Sequence, residues 1–243
     1  MLILSIDTSG KSGGITLAEG DRDFFRVIGS ASIAGGTFSA QLVPTLASVL
    51  QKHRFAPSDL GGFVVVSGPG SFTGLRVGLS AVKGLAEVLK KPIATVSLLE
   101  ALAVSAGQPL SGHQGRVAAV LDAGRAEVYY GVYEAVEACG SRIAEKLLSH
   151  QELFQAIRSE GLKQVISSDP DIVLLGASAG IHMQRAERPG SEAVAPIGLQ
   201  KLLVGKTVGI EELDANYIRR SDAEIFHPVI GSSGRGVTRK PSN

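Results

Sequence analysis

Residues 67–90 read SGPGSFTGLRVGLSAVKGLAEVLK, and the arrangement of the rest of the chain follows from them. The run just before them, Phe63-Val64-Val65-Val66, has the unbroken apolar character of a strand buried on both faces. Gly68, Pro69 and Gly70 then spell a tight turn, because glycine admits positive φ or close approach and proline fixes its own φ. Ser71 or Thr73 is placed to cap a helix. That helix should run to about Lys90 and stop before Pro92.

The faces of this helix are unusual. Arg76, Ser80, Lys83, Glu87 and Lys90 make one stripe, and Phe72, Leu75, Leu79, Val82, Ala86 and Leu89 a second. Gly74, Gly78, Ala81 and Leu85 make a third, mostly without bulk. A surface helix needs an apolar stripe little wider than ~100°. Here apolar or very small residues take up most of the circumference, so the helix should be covered on more than one side. A glycine inside a helix costs ~1 kcal/mol against alanine, which points to close approach of another backbone. Two readings fit: a helix sandwiched within its own domain, or one that also packs against a second subunit.

Composition narrows the classes. A chain of 243 residues holds one large domain or two small ones. With 44% hydrophobic and 19% charged residues it is globular. A formal net charge of +1 argues against a strong unaided grip on nucleic acid, where phosphate neutralisation dominates affinity. The single cysteine, Cys139, excludes an internal disulfide and fits a reducing compartment. The opening MLILSIDTS lacks the basic flank of a signal peptide, and no window is long and apolar enough to span a bilayer. A soluble cytoplasmic protein is expected.

In chain order, strands are expected over 2–6, 13–18 and 24–28, with Asp7-Thr8-Ser9-Gly10 as a turn. Ser39 should cap a helix over 40–53 that turns Leu42, Leu46, Val49 and Leu50 inward, with Pro44 near its first turn. A strand over 93–96 and a helix over 98–105 follow. The stretch 107–114 carries little that could pack, and separates an expected lobe of residues 1–108 from one of 109–230. In the second lobe strands are expected over 117–121, 127–133 and 142–147, with Asp122-Ala123-Gly124 as a turn. A helix over 150–159 should face inward through Leu153, Phe154 and Ile157. A strand over 172–175, a turn over 176–180 leading into a helix, and a helix over 196–204 complete it. Residues 231–243 lack apolar anchors and are expected to be a disordered tail.

An apolar strand, an Asp-bearing turn and a returning strand thus occur at 3–17 and again at 117–133. Two similar α/β lobes of this kind, with mixed sheets flanked by helices, resemble the actin, Hsp70 and sugar-kinase superfamily. In that superfamily the two turns hold nucleotide phosphate and metal, which would make Asp7 and Asp122 orient Mg²⁺. The bland alternative is that each carboxylate caps its own turn.

Other motifs are weaker. Gly10-Lys11-Ser12 and Gly205-Lys206-Thr207 mimic the end of a phosphate-binding loop, but Ser5 and Gln200 stand where its first glycine belongs. Gly176-Ala177-Ser178-Ala179-Gly180 matches a nucleophile elbow. A hydrolase reading would use Ser178, with Asp214 or Asp222 and then His227. Ser80-Ala81-Val82-Lys83 has the spacing of a Ser/Lys dyad, yet on a polar stripe it reads as a solvated face. The five histidines show no metal-ligand spacing.

The segment GPGSFTGLRVGLSAVKGLA, with LSIDTS, LDAGRAEVYYGVY and LDANYIRRSDAE, resembles the bacterial TsaB (YeaZ) family across most of the chain. These proteins take part in making N6-threonylcarbamoyladenosine in tRNA. The resemblance implies a retained fold without a reactive centre. The catalytic paralogue TsaD carries a His-x-x-x-His metal pair on its first long helix, where this chain reads Thr37-Phe38-Ser39-Ala40-Gln41. It therefore implies a non-catalytic partner of TsaD, joined by the ATPase TsaE, while a TsaC-type enzyme supplies the threonylcarbamoyl-adenylate. Contact with tRNA would be indirect, and a homodimer could form when the partner is missing. No cofactor of its own is implied, though ATP or ADP could lodge at the partner junction. The expected interface comprises Leu42, Leu46, Phe72, Gly74, Leu75, Gly78, Leu79, Ala81 and Val82.

Overall fold

In the computed structural model, residues 1–105, 115–134, 141–216 and 218 are described. The expected boundary at 107–114 and the expected tail at 231–243 lie outside them.

The apolar opening, Leu2–Asp7 (β1), pairs antiparallel with Ser12–Gly20 (β2), and β2 with Phe25–Ala34 (β3). On its other side β1 runs parallel to Gly62–Gly68 (β4), and β4 parallel to Ile93–Ser97 (β5). Every residue of β4 is buried, as its continuous apolar run requires. The resulting order is β3-β2-β1-β4-β5. The second sheet is built from Arg116–Gly124 (β6), Glu127–Glu134 (β7), Ser141–Ser149 (β8), Gln164–Ser167 (β9) and Gln184–Arg185 (β10). Taken from its β8 edge, its order is β8-β7-β6-β9-β10, the same as the first. In both, the opening strand has an antiparallel neighbour on one side and a parallel one on the other. The duplication read from the Asp-bearing turns is therefore a duplication of whole sheets, and the architecture is of the actin, Hsp70 and sugar-kinase type.

Helices Phe38–Lys52 (α1) and Phe72–Leu89 (α2) flank the first sheet, and His150–Ser159 (α4) and Pro170–Ser178 (α5) the second. Leu98–Ser105 (α3) touches β4 and β5 on one side and β6 and β7 on the other, so it lies between the sheets. Its first six residues, Leu98 through Ala103, are all buried.

Several elements differ from the sequence reading. Ser191–Leu203 (α6) packs on β1, β2, β4 and β5. The Ser5 hydroxyl donates to the Ser191 carbonyl at 2.8 Å, and Gly198 lies so close to Val64 that an added Cβ would sit 2.1 Å from its Cγ1. Helix α6, expected within the second lobe of 109–230, thus lies on the first sheet. The apolar run at 172–175 is helical within α5, and the strand that pairs with β6 is β9. Four apolar residues suit either period. Asp169 before Pro170 is a helix start, since proline at the first helical position gives up only an N–H that would be unbonded anyway. No helix starts at Ala179; Gly180 takes φ +71° and the chain goes on to β10. Helix α1 starts two residues before the expected position, since Phe38 is drawn into the core at 5% exposure. Ser39 therefore lies inside α1 and does not cap it, and Pro44 falls in its second turn. β6 continues through 122–124, and the turn is made by Arg125 and Ala126, both at positive φ.

Candidate functional site

The start of α2 is laid directly on the β1–β2 turn. The Ser71 hydroxyl accepts from the Gly74 amide at 3.3 Å, and the Ser71 amide donates to the Ser9 carbonyl at 2.8 Å. The Thr8 hydroxyl donates to the Gly74 carbonyl at 2.7 Å. A Cβ on Gly74 would stand 2.0 Å from the Thr8 carbonyl oxygen, and one on Gly78 would stand 2.4 Å from the Thr8 hydroxyl. The backbone that meets the bare glycine face is therefore the chain's own.

This rearranges the expected interface. Leu42, Leu46, Gly74, Leu75, Gly78, Leu79 and Val82 are buried within the chain. Of the expected residues, Phe72 is exposed and Ala81 half-buried. What α1 and α2 offer outward is a groove of about 510 Å³ between them, floored by Phe38 and Leu42. Its rims carry Val43, 56% exposed, and Phe72, 38% exposed, with Val77, Ser80 and Ala81 along α2. The Arg76 guanidinium lies 3.8 Å from the centroid of the Phe72 ring, a cation–π contact that holds a positive group at the groove's edge.

The two Asp-bearing turns are separately occupied. Asp7 is buried, and its Oδ1 accepts from the Ser9 amide at 2.8 Å and the Ser9 hydroxyl at 2.5 Å. Arg188 Nη2 donates to the same Ser9 hydroxyl at 2.9 Å. Asp122 is exposed, its Oδ1 accepts from the Gly124 amide at 2.9 Å, and its own amide donates to Asp169 at 2.6 Å. Each carboxylate thus accepts the amide two residues on.

Comparison with known proteins bears on what this fold is for. The family model described as "TsaD: tRNA N6-adenosine threonylcarbamoyltransferase" matches residues 32–180, more than half of the chain. The tRNA threonylcarbamoyladenosine biosynthesis protein TsaB of Bacillus subtilis is 30% identical over 92% of this chain and 96% of its own length. The chain belongs to the TsaB family. The protein of the same name from Escherichia coli is 26% identical, with the same shares covered. Among solved structures, YeaZ from Pseudomonas aeruginosa superposes with a TM-score of 0.70 at 23% identity, over 89% of this chain and 99% of that one. The two-lobed fold described above is the fold of YeaZ.

In this TsaB-family chain residues 176–180 do not form a nucleophile elbow. Ser178 is at the exposed end of α5, where its hydroxyl donates to the Leu175 carbonyl at 2.7 Å. An elbow needs a strand before the serine and a helix after it; here the helix comes before, so Ser178 does not stand in one. Asp222 and His227 lie outside the described residues. Thr37 precedes α1 and Gln41 lies in its first turn. Among the described residues no three His, Cys, Asp or Glu side chains gather closely enough to share a metal, and no helix is long and apolar enough to cross a membrane.

Buried charge went unread in the sequence. Glu100 and Lys201 pair at 2.6 Å with side chains only 6% and 17% exposed. They are 101 residues apart, on α3 and α6, and no spacing could have joined them.

Proposed function

We propose that the chain acts in the formation of N6-threonylcarbamoyladenosine in tRNA as a partner without chemistry of its own, docking on a TsaD-type transferase. The observation that carries this is its likeness to a TsaB protein over nearly the full length of both chains. The docking surface is the groove between α1 and α2. Because the TsaD family model matches this chain through both helices, a TsaD-type partner should present an equivalent helix pair. Two such pairs would meet by like faces, apolar on apolar, with Arg76 at the edge. When the partner is missing, a second copy of this chain would occupy the same face as a homodimer. In this reading TsaE joins the assembly, tRNA is held by the partner because this chain carries only +1, and the setting is the cytoplasm. Asp7 and Asp122 hold turns, and any ATP or ADP lies at the junction with the partner.

The experiment is co-elution of the chain with a TsaD-type protein on size exclusion, using Val43→Arg and Ala81→Arg. Wild type should co-elute. The variants should elute apart while keeping the wild-type melting temperature, because both positions reach the surface. Unchanged co-elution of both variants, or threonylcarbamoylation by the chain alone, would overturn the proposal.

A further inference from the structure

A polar cavity of about 420 Å³ lies where the two lobes meet, within the size range of small-ligand sites. Ser67, Ser97 and Glu100 face it from the first lobe, Tyr133 and Glu145 from the second, and Lys201 from α6. The two carboxylates in it are treated very differently. Glu145 is fully engaged: it accepts from the Tyr133 hydroxyl and the Asn216 side-chain amide, and Arg142 is 3.6 Å away. Glu100 is 5% exposed; its Oε2 takes the Lys201 ammonium at 2.6 Å, and its Oε1 is buried with no hydrogen-bond partner. A buried carboxylate oxygen without a donor forfeits its hydration and calls for an occupant.

The charge around it says which kind. Glu100 pairs with Lys201, and Glu145 has Arg142 beside it. With the exposed Lys206, Glu212 and Asp214 the lining holds four carboxylates and three cations. Burial first, then the Glu145 carboxylate and its hydrogen bond, hold the Tyr133 hydroxyl well above the ordinary phenol range; the Ser97 hydrogen bond pulls the other way, and Glu100 adds the least. The lining therefore carries one more carboxylate than cation, and one of its carboxylate oxygens is unpartnered. An anion is repelled there. A water would satisfy the oxygen and leave the charge. Among the described residues no three acidic, His or Cys side chains converge to hold a metal ion.

The geometry points to a binding site for a small protonated amine, whose ammonium donates to Glu100 Oε1 between the two lobes. This stands independently of the docking groove. Calorimetry on the full chain tests it, with 1,4-diaminobutane as a free amine, L-alanine as an α-amino acid, and tetramethylammonium as a cation without N–H. At least one N–H amine should bind saturably, and tetramethylammonium about tenfold more weakly or worse, the loss of one charge-assisted hydrogen bond. Glu100→Gln should weaken the amine by a similar factor, while Glu87→Gln, at the exposed pair on α2, should leave it unchanged. If Glu100→Gln does not fold, the wild-type comparison between N–H and methylated cations decides. Absence of saturable binding by either N–H probe means the oxygen meets water only and overturns the site. Equal binding of tetramethylammonium, or an equal effect of Glu87→Gln, overturns it as well.

Discussion

Alanine at Gly74 and alanine at Gly84 should change stability in opposite directions, although both are glycines of one helix. Gly84 is exposed, and nothing lies within 4 Å of an added Cβ. Gly84→Ala removes the entropic penalty of glycine in mid-helix and should stabilise by ~1 kcal/mol, raising the melting temperature about 2–4 °C for a chain of this size. At Gly74 the methyl would meet the Thr8 carbonyl at 2.0 Å, where ordinary contact begins at 3.4 Å. Helix and turn must separate by well over an ångström. The obstruction is backbone and cannot rotate aside. Its neighbours are tied, Thr8 through its hydroxyl to Gly74 and Ser9 through its carbonyl to Ser71. Overpacking of this kind costs ~1–3 kcal/mol, and the strained Thr8–Gly74 hydrogen bond is worth ~1 kcal/mol more. The net expectation for Gly74→Ala is a loss of about 2 kcal/mol and a melting temperature lower by about 5 °C. Urea and thermal melts followed by far-ultraviolet circular dichroism, on dilute protein without partner, read both variants. A helix kept bare for a partner predicts the reverse, since free Gly74→Ala would then gain stability as Gly84→Ala does. A Gly74→Ala chain as stable as wild type therefore refutes the reasoning.

The other predictions concern charge. Lys201→Met leaves Glu100 buried without its ammonium and should cost ~3–5 kcal/mol in urea unfolding, whereas Lys90→Met at the exposed Lys90–Glu87 pair should stay within about 1 kcal/mol. Glu152 accepts from both the amide and the hydroxyl of Ser149 at the start of α4, which lowers its pKa below the ordinary 4.5. A depressed folded-state pKa gives stability that is fully present above the unfolded value and lost as pH falls through the folded one. The wild-type advantage over Glu152→Gln should therefore hold at pH 7 and fade below about pH 4.5, read from urea midpoints across pH. Ser149→Ala should destabilise by ~1 kcal/mol at neutral pH, the usual loss for a removed cap, measured the same way.

What could be read from the sequence was what lies close along it. The buried run 63–66, the Gly-Pro-Gly turn, the Ser71 cap and the stop at Lys90, which takes φ +52°, all depend on neighbours within a few residues. The duplication was legible because each half repeats an Asp after an apolar strand. The misreadings have the opposite character. At 172–175 four apolar residues carry no period, and Asp169-Pro170 decided the helix. Gly74 marked a close backbone approach and Gly78 a close side-chain one, but nothing local says that Thr8, more than sixty residues earlier, supplies both. Glu100 and Lys201 become neighbours only once α3 and α6 are both laid on the first sheet, and Tyr133 meets Glu145 only through the pairing of β7 with β8.

The two repeats have diverged where they were read as most alike. Both turns follow a strand with the same neighbours, and in both an Asp carboxylate receives the amide two residues on. Yet Asp7 is buried and Asp122 exposed. The difference comes from what covers them. In the first half the helix that follows the parallel strand is α2, whose small residues let it settle onto Thr8 and Ser9. In the second half α5 follows β9, and its Asp169 touches the Asp122 amide without covering the turn. The glycines of residues 67–90 are thus explained by contact within one lobe. In the docking proposed above, a partner would meet the flank of α2 where Phe72, Val77 and Ala81 line the groove with Val43. The glycines fix how deep the helix lies, and that depth determines which of its side chains remain outside to be met.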